Sequence, residues 1–266
     1  MVNYSVILAA DLPSSREVLS MVDKVGAIVD GVKVAAATVL ESGAQILCEI
    51  RNIIGQRPLL VDLKIADIGF RSPRGWDGTN AKIIHSLKDS GASHVTVHGF
   101  PGPVSIAEAA NSARDVGLGV LLLPLMSHAA ASLFFSAPVE PHRVVEQTTD
   151  AELGLHFPDM LQCKDVTEAI LHLGEALNVN GYIGPATRPS DLQRYRSITK
   201  RPIWCPGFGR QDRLGRNLEE QFSEWAEIVG PASAAIVGSA IFKAGDPVAA
   251  AQEIMEIRDR AIDRSP

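Results

Sequence analysis

The chain has 266 residues, of which 46% are hydrophobic and 21% charged, and its formal net charge is −6. A chain of this length and composition fits one large globular domain, so we expect a single domain over residues 1–266. The negative charge and the lack of a long Lys/Arg run argue against a nucleic-acid or membrane-surface partner, because such partners require a basic patch.

Several features predict a cytoplasmic protein without a metal. The residues after Met1 lead directly into an apolar segment without a basic region or a cleavage site, and no apolar stretch could span a bilayer. Cys48, Cys163 and Cys205 are widely spaced, which favours buried thiols in a reducing compartment. The seven histidines show no H-E-x-x-H spacing, so we predict no metal site.

Short apolar segments alternate with helix-like segments from one end of the chain to the other. The predicted strands are residues 5–10, 31–34, 59–64, 94–98, 119–124, 181–185, 202–205 and 234–237. Helix-start signals such as Ser14, Asn217 and Asp246-Pro247 lie between them. This alternation predicts right-handed βαβ units and a parallel sheet.

Eight strands followed by helices predict a (β/α)8 TIM barrel, whose active site lies where the strands end. A doubly wound open sheet is the alternative, but it would concentrate polar residues at one switch point. Here polar residues follow nearly every strand: Asp11, Lys33, Lys64, Asp67, His98, Ser127, Thr187, Gln211 and Ser239. That distribution favours the barrel.

Two stretches are longer than this architecture requires. Residues 69–78 contain three glycines and one proline, which predicts an extended loop on the active-site side. Residues 129–162 are interrupted by Pro138, Pro141 and Pro158, and their pattern indicates no function.

The end of the third predicted strand carries charges in an otherwise apolar segment. Because side chains alternate along a strand, Asp62 and Lys64 should share one face while Val61, Leu63 and Ile65 share the other. Buried charges are costly unless they are paired. The sequence therefore predicts partners for this pair within the barrel.

The neighbouring strand ends at Lys33, which would place Asp62 between two ammonium groups, with Asp67 at the rim. Such a cluster suits a reaction that builds negative charge on carbon and then delivers a proton to it. Lys64 would serve as electrostatic partner and general acid. A structural ion-pair network at the barrel mouth is the alternative interpretation.

From Val6 to about Ala250, the chain resembles orotidine 5′-monophosphate decarboxylases of the archaeal type. The D-x-K-x-x-D motif alone is shared with related sugar-phosphate decarboxylases and synthases, and the accompanying motifs narrow the resemblance. The matching segments are residues 8–11, 32–33, 62–68, 98–102, 126–128, 184–189, 206–211 and 236–238.

The resemblance implies decarboxylation of orotidine 5′-monophosphate to UMP, the last step of de novo pyrimidine synthesis, without a metal or organic cofactor. Lys33, Asp62, Lys64 and Asp67 match the family's charged tetrad, in which Lys64 would protonate C6 of the pyrimidine. Asp67 would reach the site of a neighbouring subunit, which implies a homodimer.

The same resemblance implies the substrate contacts. Asp11 would hold the ribose, Ile68 and Thr79 would come from the partner subunit, and Ser127 and Pro206 would contact the base. Gln211 matches the side chain that bridges base and phosphate, and Arg210, Gly238 and Ser239 are further candidates for contacts with the phosphate. Two residues have simpler alternatives: Asp11 could cap the helix near Ser14, and His98 is interpreted as a packed histidine in a tight turn.

The family has an arginine directly after the Val-Gly that ends strand eight, where this chain has Ser239. A hydroxyl cannot copy the bidentate, permanently charged contact of a guanidinium. Backbone N–H groups of residues 207–209 and 238–239, helped by Arg210, Arg213 or Arg188, could replace it. Otherwise the chain is a related lyase or isomerase acting on another nucleotide or sugar phosphate, or a non-catalytic nucleotide-binding paralogue. The intact tetrad argues against the paralogue.

Overall fold

The computed structural model describes residues 4–140, 162–209, 214–230 and 232–263. Within these residues, eight parallel strands close into a barrel, which confirms the predicted (β/α)8 fold. In spatial order the barrel strands are β1 (Ser5–Ala9), β2 (Gly31–Ala35), β3 (Leu59–Ile65), β6 (His94–His98), β7 (Gly119–Leu123), β8 (Gly181–Ile183), β9 (Ile203–Pro206) and β10 (Ala234–Val237).

Helices connect the strands and cover the barrel. They are α1 (Ser15–Val25), α2 (Ala36–Ser42), α3 (Gln45–Ile54), α4 (Thr79–His85), α5 (Pro103–Asp115), α6 (Ser132–Phe135), α7 (Val166–Ala176), α8 (Pro189–Ile198), α9 (Leu218–Val229), α10 (Ser239–Phe242) and α11 (Pro247–Asp263). Ser14 and Asn217 each form a capping box, which fixes the first turns of α1 and α9. Since Ser14 is the N-cap of α1, the alternative that Asp11 caps this helix is wrong.

The hydrophobic core has two layers, because alternate strand residues face opposite sides of the barrel wall. Ile7, Leu60, Leu121 and Trp204 belong to the cluster that fills the barrel interior. The larger cluster lies between the outside of the barrel and the helices. This filling closes the lower barrel and leaves the ends of the strands to form a site.

The insertion at residues 69–78 differs from the extended loop that its glycines and proline indicated. β4 (Arg71–Ser72) and β5 (Gly75–Trp76) pair as a short antiparallel hairpin. The guanidinium carbon of Arg71 lies 5.5 Å from the ring centroid of Trp76, a cation–π contact that stabilises the hairpin.

The second long stretch is described only in part. Its described residues contain a 3-10 turn at Ala129–Ala131 and the short helix α6, and residues 141–161 lie outside the described part of the chain. Among the helices that the structure describes, none has the length and apolar character needed to cross a membrane.

Candidate active site

A pocket of about 440 Å³ opens at the carboxyl ends of the barrel strands. Its walls bring together residues that are distant in sequence, because each barrel strand ends at the same rim. The residues singled out by the sequence that line this pocket are Asp11, Lys33, Asp62, Lys64, Ser127, Pro206, Gly238 and Ser239. The structure therefore brings these residues together in one pocket at the predicted end of the barrel.

Four of these side chains form an alternating chain of charges. Lys33 Nζ lies 2.7 Å from Asp11 Oδ1 and 3.4 Å from Asp62 Oδ2, and Lys64 Nζ lies 2.7 Å from the same Asp62 oxygen. Asp62 thus lies between two ammonium groups, as its position in the sequence predicted. The Lys33 side chain is 9% exposed and that of Lys64 is 41% exposed, so Lys64 is the cation more accessible to a ligand.

The backbone of β3 is irregular where it carries the charges. Pairing between β3 and β6 shifts register between Val61 and Ile65, and Lys64 has a φ of 50°, in the left-handed region. A β-bulge of this kind re-aims the side chains that follow it. Asp62 and Lys64 still face the pocket, while Ile65 packs outside the barrel, as the alternation predicted.

Thr96 on β6 holds this irregular segment, although the sequence did not single it out as a site residue. Its hydroxyl donates to Asp62 Oδ1 at 2.8 Å and accepts the backbone N–H of Lys64 at 2.8 Å. One side chain therefore fixes both the carboxylate and the backbone of the exposed lysine. The signal in the sequence was a polar residue alternating with valines within a buried strand.

Electrostatics keep Asp62 ionised. Burial opposes the charged form, but the ammonium groups of Lys33 and Lys64 outweigh it and hold the pKa of the Asp62 carboxyl below its ordinary value.

His98, at the end of β6, is held in its uncharged form. Burial and the positive charge of Lys64 lower the pKa of His98 to about 4, so its ring is neutral at pH 7. His98 stacks with Phe135, which confirms a packed histidine.

Asp67, Ile68 and Thr79 lie away from this pocket. Asp67 lines a second cleft outside the barrel together with Lys64, and its carboxylate pairs with no cation among the described residues. Ile68 is 78% exposed, and Thr79 begins α4 on the surface. Within one subunit, the structure therefore joins three members of the expected tetrad and leaves the fourth outside.

Glycine-rich backbone surrounds the pocket mouth near Ser239. Gly207 and Gly238 line the pocket beside it, and Gly207 has a φ of 118° that favours glycine. Arg188 donates to the carbonyl oxygen of Met126 and lies 3.3 Å from Asp191 Oδ2, so its guanidinium is already engaged. Arg210, Gln211 and Arg213 lie outside the described residues.

The described residues contain no cluster of three or more His, Cys, Asp or Glu side chains placed to hold a metal ion. Cys163 and Cys205 are buried and Cys48 is half-buried, and Cys48 and Cys205 are free thiols.

The fold and the site define a (β/α)8-barrel protein with a preorganised carboxylate–lysine network. Residues 4–254 match the model of the orotidine 5′-phosphate decarboxylase / HUMPS family, and the chain belongs to this family. The orotidine 5′-phosphate decarboxylase of Methanosphaera stadtmanae is 27% identical, over 96% of this chain and 97% of that protein. The protein of the same name from Methanocaldococcus jannaschii is 26% identical, over 96% of this chain and 98% of the relative.

A solved structure gives the same relationship in three dimensions. Orotidine 5′-monophosphate decarboxylase from Methanocaldococcus jannaschii, complexed with the inhibitor BMP, superposes with a TM-score of 0.74 at 25% identity. The match covers 96% of this chain and 99% of that one. The similarity therefore extends over the whole barrel and is not confined to one motif.

Proposed function

We propose that this protein decarboxylates orotidine 5′-monophosphate to UMP, the last step of pyrimidine synthesis, in the cytoplasm and without a cofactor. The observation that carries the proposal is Asp62, held between Lys33 and Lys64 in the pocket of a member of this family. The wide spacing of the three cysteines, with Cys48 and Cys205 as free thiols, supports the cytoplasmic location.

The network suits the chemistry of decarboxylation. When the bond from C6 to the carboxylate breaks, carbon dioxide leaves and the electron pair remains on C6, where an acid must supply a proton. Lys64 is fixed by Asp62 at 2.7 Å and reaches into the pocket, so it is placed to stabilise that charge and to donate the proton. Its field exists before the substrate binds, which avoids reorganisation during the reaction.

The position of Asp67 supports a homodimer in which this residue and Ile68 complete the site of the partner subunit. Asp67 has no cationic partner within its own subunit among the described residues. Lys64 lines both the barrel pocket and the outer cleft that contains Asp67, so a second copy docked there would approach the active lysine. Exposed apolar residues at this cleft, including Leu40, fit such an interface.

The phosphate end of the substrate would lie at the glycine-rich mouth formed by residues 207–209 and 238–239. In (β/α)8 barrels, phosphates commonly bind to the loops after strands seven and eight. Gly207, Gly238 and Ser239 all line this side of the pocket, where their backbone leaves space for a phosphate. Ser239 would contribute a hydroxyl in place of the family's arginine.

The test is the decay of orotidylate absorbance with purified wild type and with Lys64→Ala. The wild type should decarboxylate orotidylate, while the variant should lose at least about 1000-fold in kcat because both the field and the proton donor are gone. Orotidine without the phosphate should show a much lower kcat/KM than orotidylate.

An inactive wild type that still binds a pyrimidine nucleotide would contradict the proposal. It would favour the related lyase, isomerase or binding protein that the substitution at Ser239 leaves as alternatives. Equal activity on orotidine and orotidylate would refute the phosphate contact at the glycine-rich mouth.

A further inference from the structure

A buried polar cluster lies beneath the segment that carries Asp67, at a distance from the barrel pocket. Its members are Asn80 at the start of α4 and Ser105 and Glu108 on α5, and all three side chains are almost fully inaccessible to solvent. Among the described residues, no cation pairs with the Glu108 carboxyl. A carboxyl buried without a cation is costly unless hydrogen bonds compensate.

The hydrogen bonds of Glu108 go to the chain just after the inserted hairpin. Its Oε1 accepts the backbone N–H of Gly78 at 2.6 Å, and its Oε2 accepts Asn80 Nδ2 at 2.9 Å. Gly78 and Asn80 follow the hairpin in sequence, so this carboxyl fixes the point at which the chain returns to the barrel. A Cβ at Gly78 would lie 2.5 Å from Glu108 Oε1, which shows how closely the two groups approach.

Asn80 and Ser105 also bind the backbone of Asp67, which lies before the hairpin in sequence. Asn80 Oδ1 accepts the backbone N–H of Asp67 at 3.1 Å, and Asn80 Nδ2 donates to the carbonyl oxygen of Asp67 at the same distance. Ser105 Oγ donates to that carbonyl at 2.6 Å. Two side chains thus hold the backbone of Asp67, and Glu108 in turn holds Asn80, while the Asp67 carboxylate is left at the outer cleft.

We propose that Glu108, Asn80 and Ser105 form a positioning unit that sets Asp67 for the active site of the partner subunit. This inference rests on the proposed function, because Asp67 acts there only in a dimer. The unit compensates for the inserted hairpin, which separates Asp67 from Thr79 and would otherwise leave the segment free to move. None of the three touches the substrate: Asn80 and Ser105 hold the backbone of Asp67, and Glu108 fixes Asn80 and Gly78.

Two serines on α5 provide a matched test. Ser105→Ala removes the hydroxyl that holds Asp67, whereas Ser112→Ala removes a buried hydroxyl of the same helix that has no hydrogen-bond partner among the described residues. We expect Ser105→Ala to lower kcat by about tenfold with little change in KM, because misplacement of a charged group acts on the chemical step. Ser112→Ala should match the wild type.

Mixed dimers test whether the unit acts across the interface. In Glu108→Gln the new amide N–H₂ must face either the N–H of Gly78 or that of Asn80. Since two donors cannot bond to each other, one hydrogen bond is lost. A dimer of one Glu108→Gln subunit and one Lys64→Ala subunit should retain about half the wild-type activity, because the intact Lys64 meets Asp67 from the subunit with an intact unit. If Glu108 acts within its own subunit, the mixed dimer will be no more active than half of the Glu108→Gln homodimer.

Amide hydrogen exchange separates this inference from the proposed function. Exchange at Asp67 and Gly78 should become faster in Ser105→Ala and Glu108→Gln, and should stay unchanged in Ser112→Ala. Unchanged exchange in all three variants would overturn the positioning unit even if orotidylate decarboxylation is found. A wild type without decarboxylase activity would instead refute the proposed function, while the exchange data still report on the unit.

Discussion

Thr96 shows how one uncharged side chain can organise a charged site. It satisfies Asp62 and the backbone of Lys64 together, at a place where the register shift between β3 and β6 interrupts the regular ladder. Burial raises the pKa of Asp62, the two lysines lower it, and the hydrogen bond from Thr96 lowers it further. The threonine therefore links the backbone irregularity of β3 to the charge state of the carboxylate.

Thr96→Val is expected to reduce activity by about tenfold and the free energy of unfolding by about 1–3 kcal/mol, because it leaves buried polar groups without partners. Thr199→Val is the matched control. Thr199 also donates to a carboxylate, Glu175 Oε1 at 2.7 Å, and accepts a backbone N–H, that of Arg201 at 3.0 Å, but it lies before β9 at the opposite end of the barrel.

Urea denaturation and orotidylate assays of both variants provide the measurement. Thr199→Val should lose comparable stability and keep its kcat, whereas Thr96→Val should lose both. Equal kcat in the two variants would show that Thr96 contributes only to folding.

The sequence could have indicated that Thr96 faces inward, since it has the same parity in its strand as His94 and His98. It could not indicate the hydrogen bond to Asp62, because that contact depends on the register between two strands. The importance of Asp62 and Lys64 was predictable without knowing the register, because charged residues in an apolar strand are rare and therefore informative by themselves.

At the scale of elements, the segment from Asp67 to Thr79 is held against α5 by close packing as well as by hydrogen bonds. A Cβ on Gly69 would lie 2.3 Å from the backbone C and O atoms of Val104, beside the start of α5. Any larger residue must therefore displace the segment from the helix. Glycine at position 69 allows the backbone of this segment to approach the backbone of α5 closely.

Gly69→Ala is expected to lower the free energy of unfolding by about 1–3 kcal/mol through overpacking, and to lower kcat through displacement of Asp67. Gly245→Ala is the control, because no heavy atom of the residues that the structure describes lies within 4 Å of its added Cβ. Denaturation curves should separate the two variants. If Gly69→Ala is as stable and active as Gly245→Ala, the segment does not need this contact.

Element boundaries were predictable where local chemistry sets them. Ser14 and Asn217 begin helices because their side chains cap the first turn, a signal contained within four residues. The hairpin of β4 and β5 was missed because each strand has only two residues and shows no periodicity. The contact between Arg71 and Trp76 stabilises the hairpin. Composition alone does not reveal this contact, because the glycines and the proline of the segment indicate a loop.

For the whole molecule, the alternation of strands and helices was sufficient to predict the barrel, because parallel strands with helical crossovers have few closed arrangements. The site to which Asp67 contributes could not be predicted in the same way. Its sequence position indicated the rim, and only the family resemblance pointed to a second subunit. The outer cleft that Asp67 shares with Leu40 and Leu63 makes this proposal testable.

Leu40→Glu is expected to convert the proposed dimer into a monomer and to lower kcat/KM by about 100-fold or more. Leu40 is 85% exposed in one subunit, so a charge there should not disturb the fold, but burying that charge in an apolar interface is costly. Analytical ultracentrifugation and the orotidylate assay measure the two effects. Leu133→Glu is the control, since Leu133 is 75% exposed but lies on α6, away from this cleft.

The dependence of specific activity on protein concentration tests whether activity requires assembly. The specific activity of Leu40→Glu should rise with protein concentration, because mass action restores dimers and brings Asp67 to the partner's site. The wild type and Leu133→Glu should show no such rise over the same range. A monomeric Leu40→Glu protein with wild-type activity would mean that one subunit contains a complete site. Asp67 would then be a surface residue, and Asp11, Lys33, Asp62 and Lys64 would be sufficient for the chemistry.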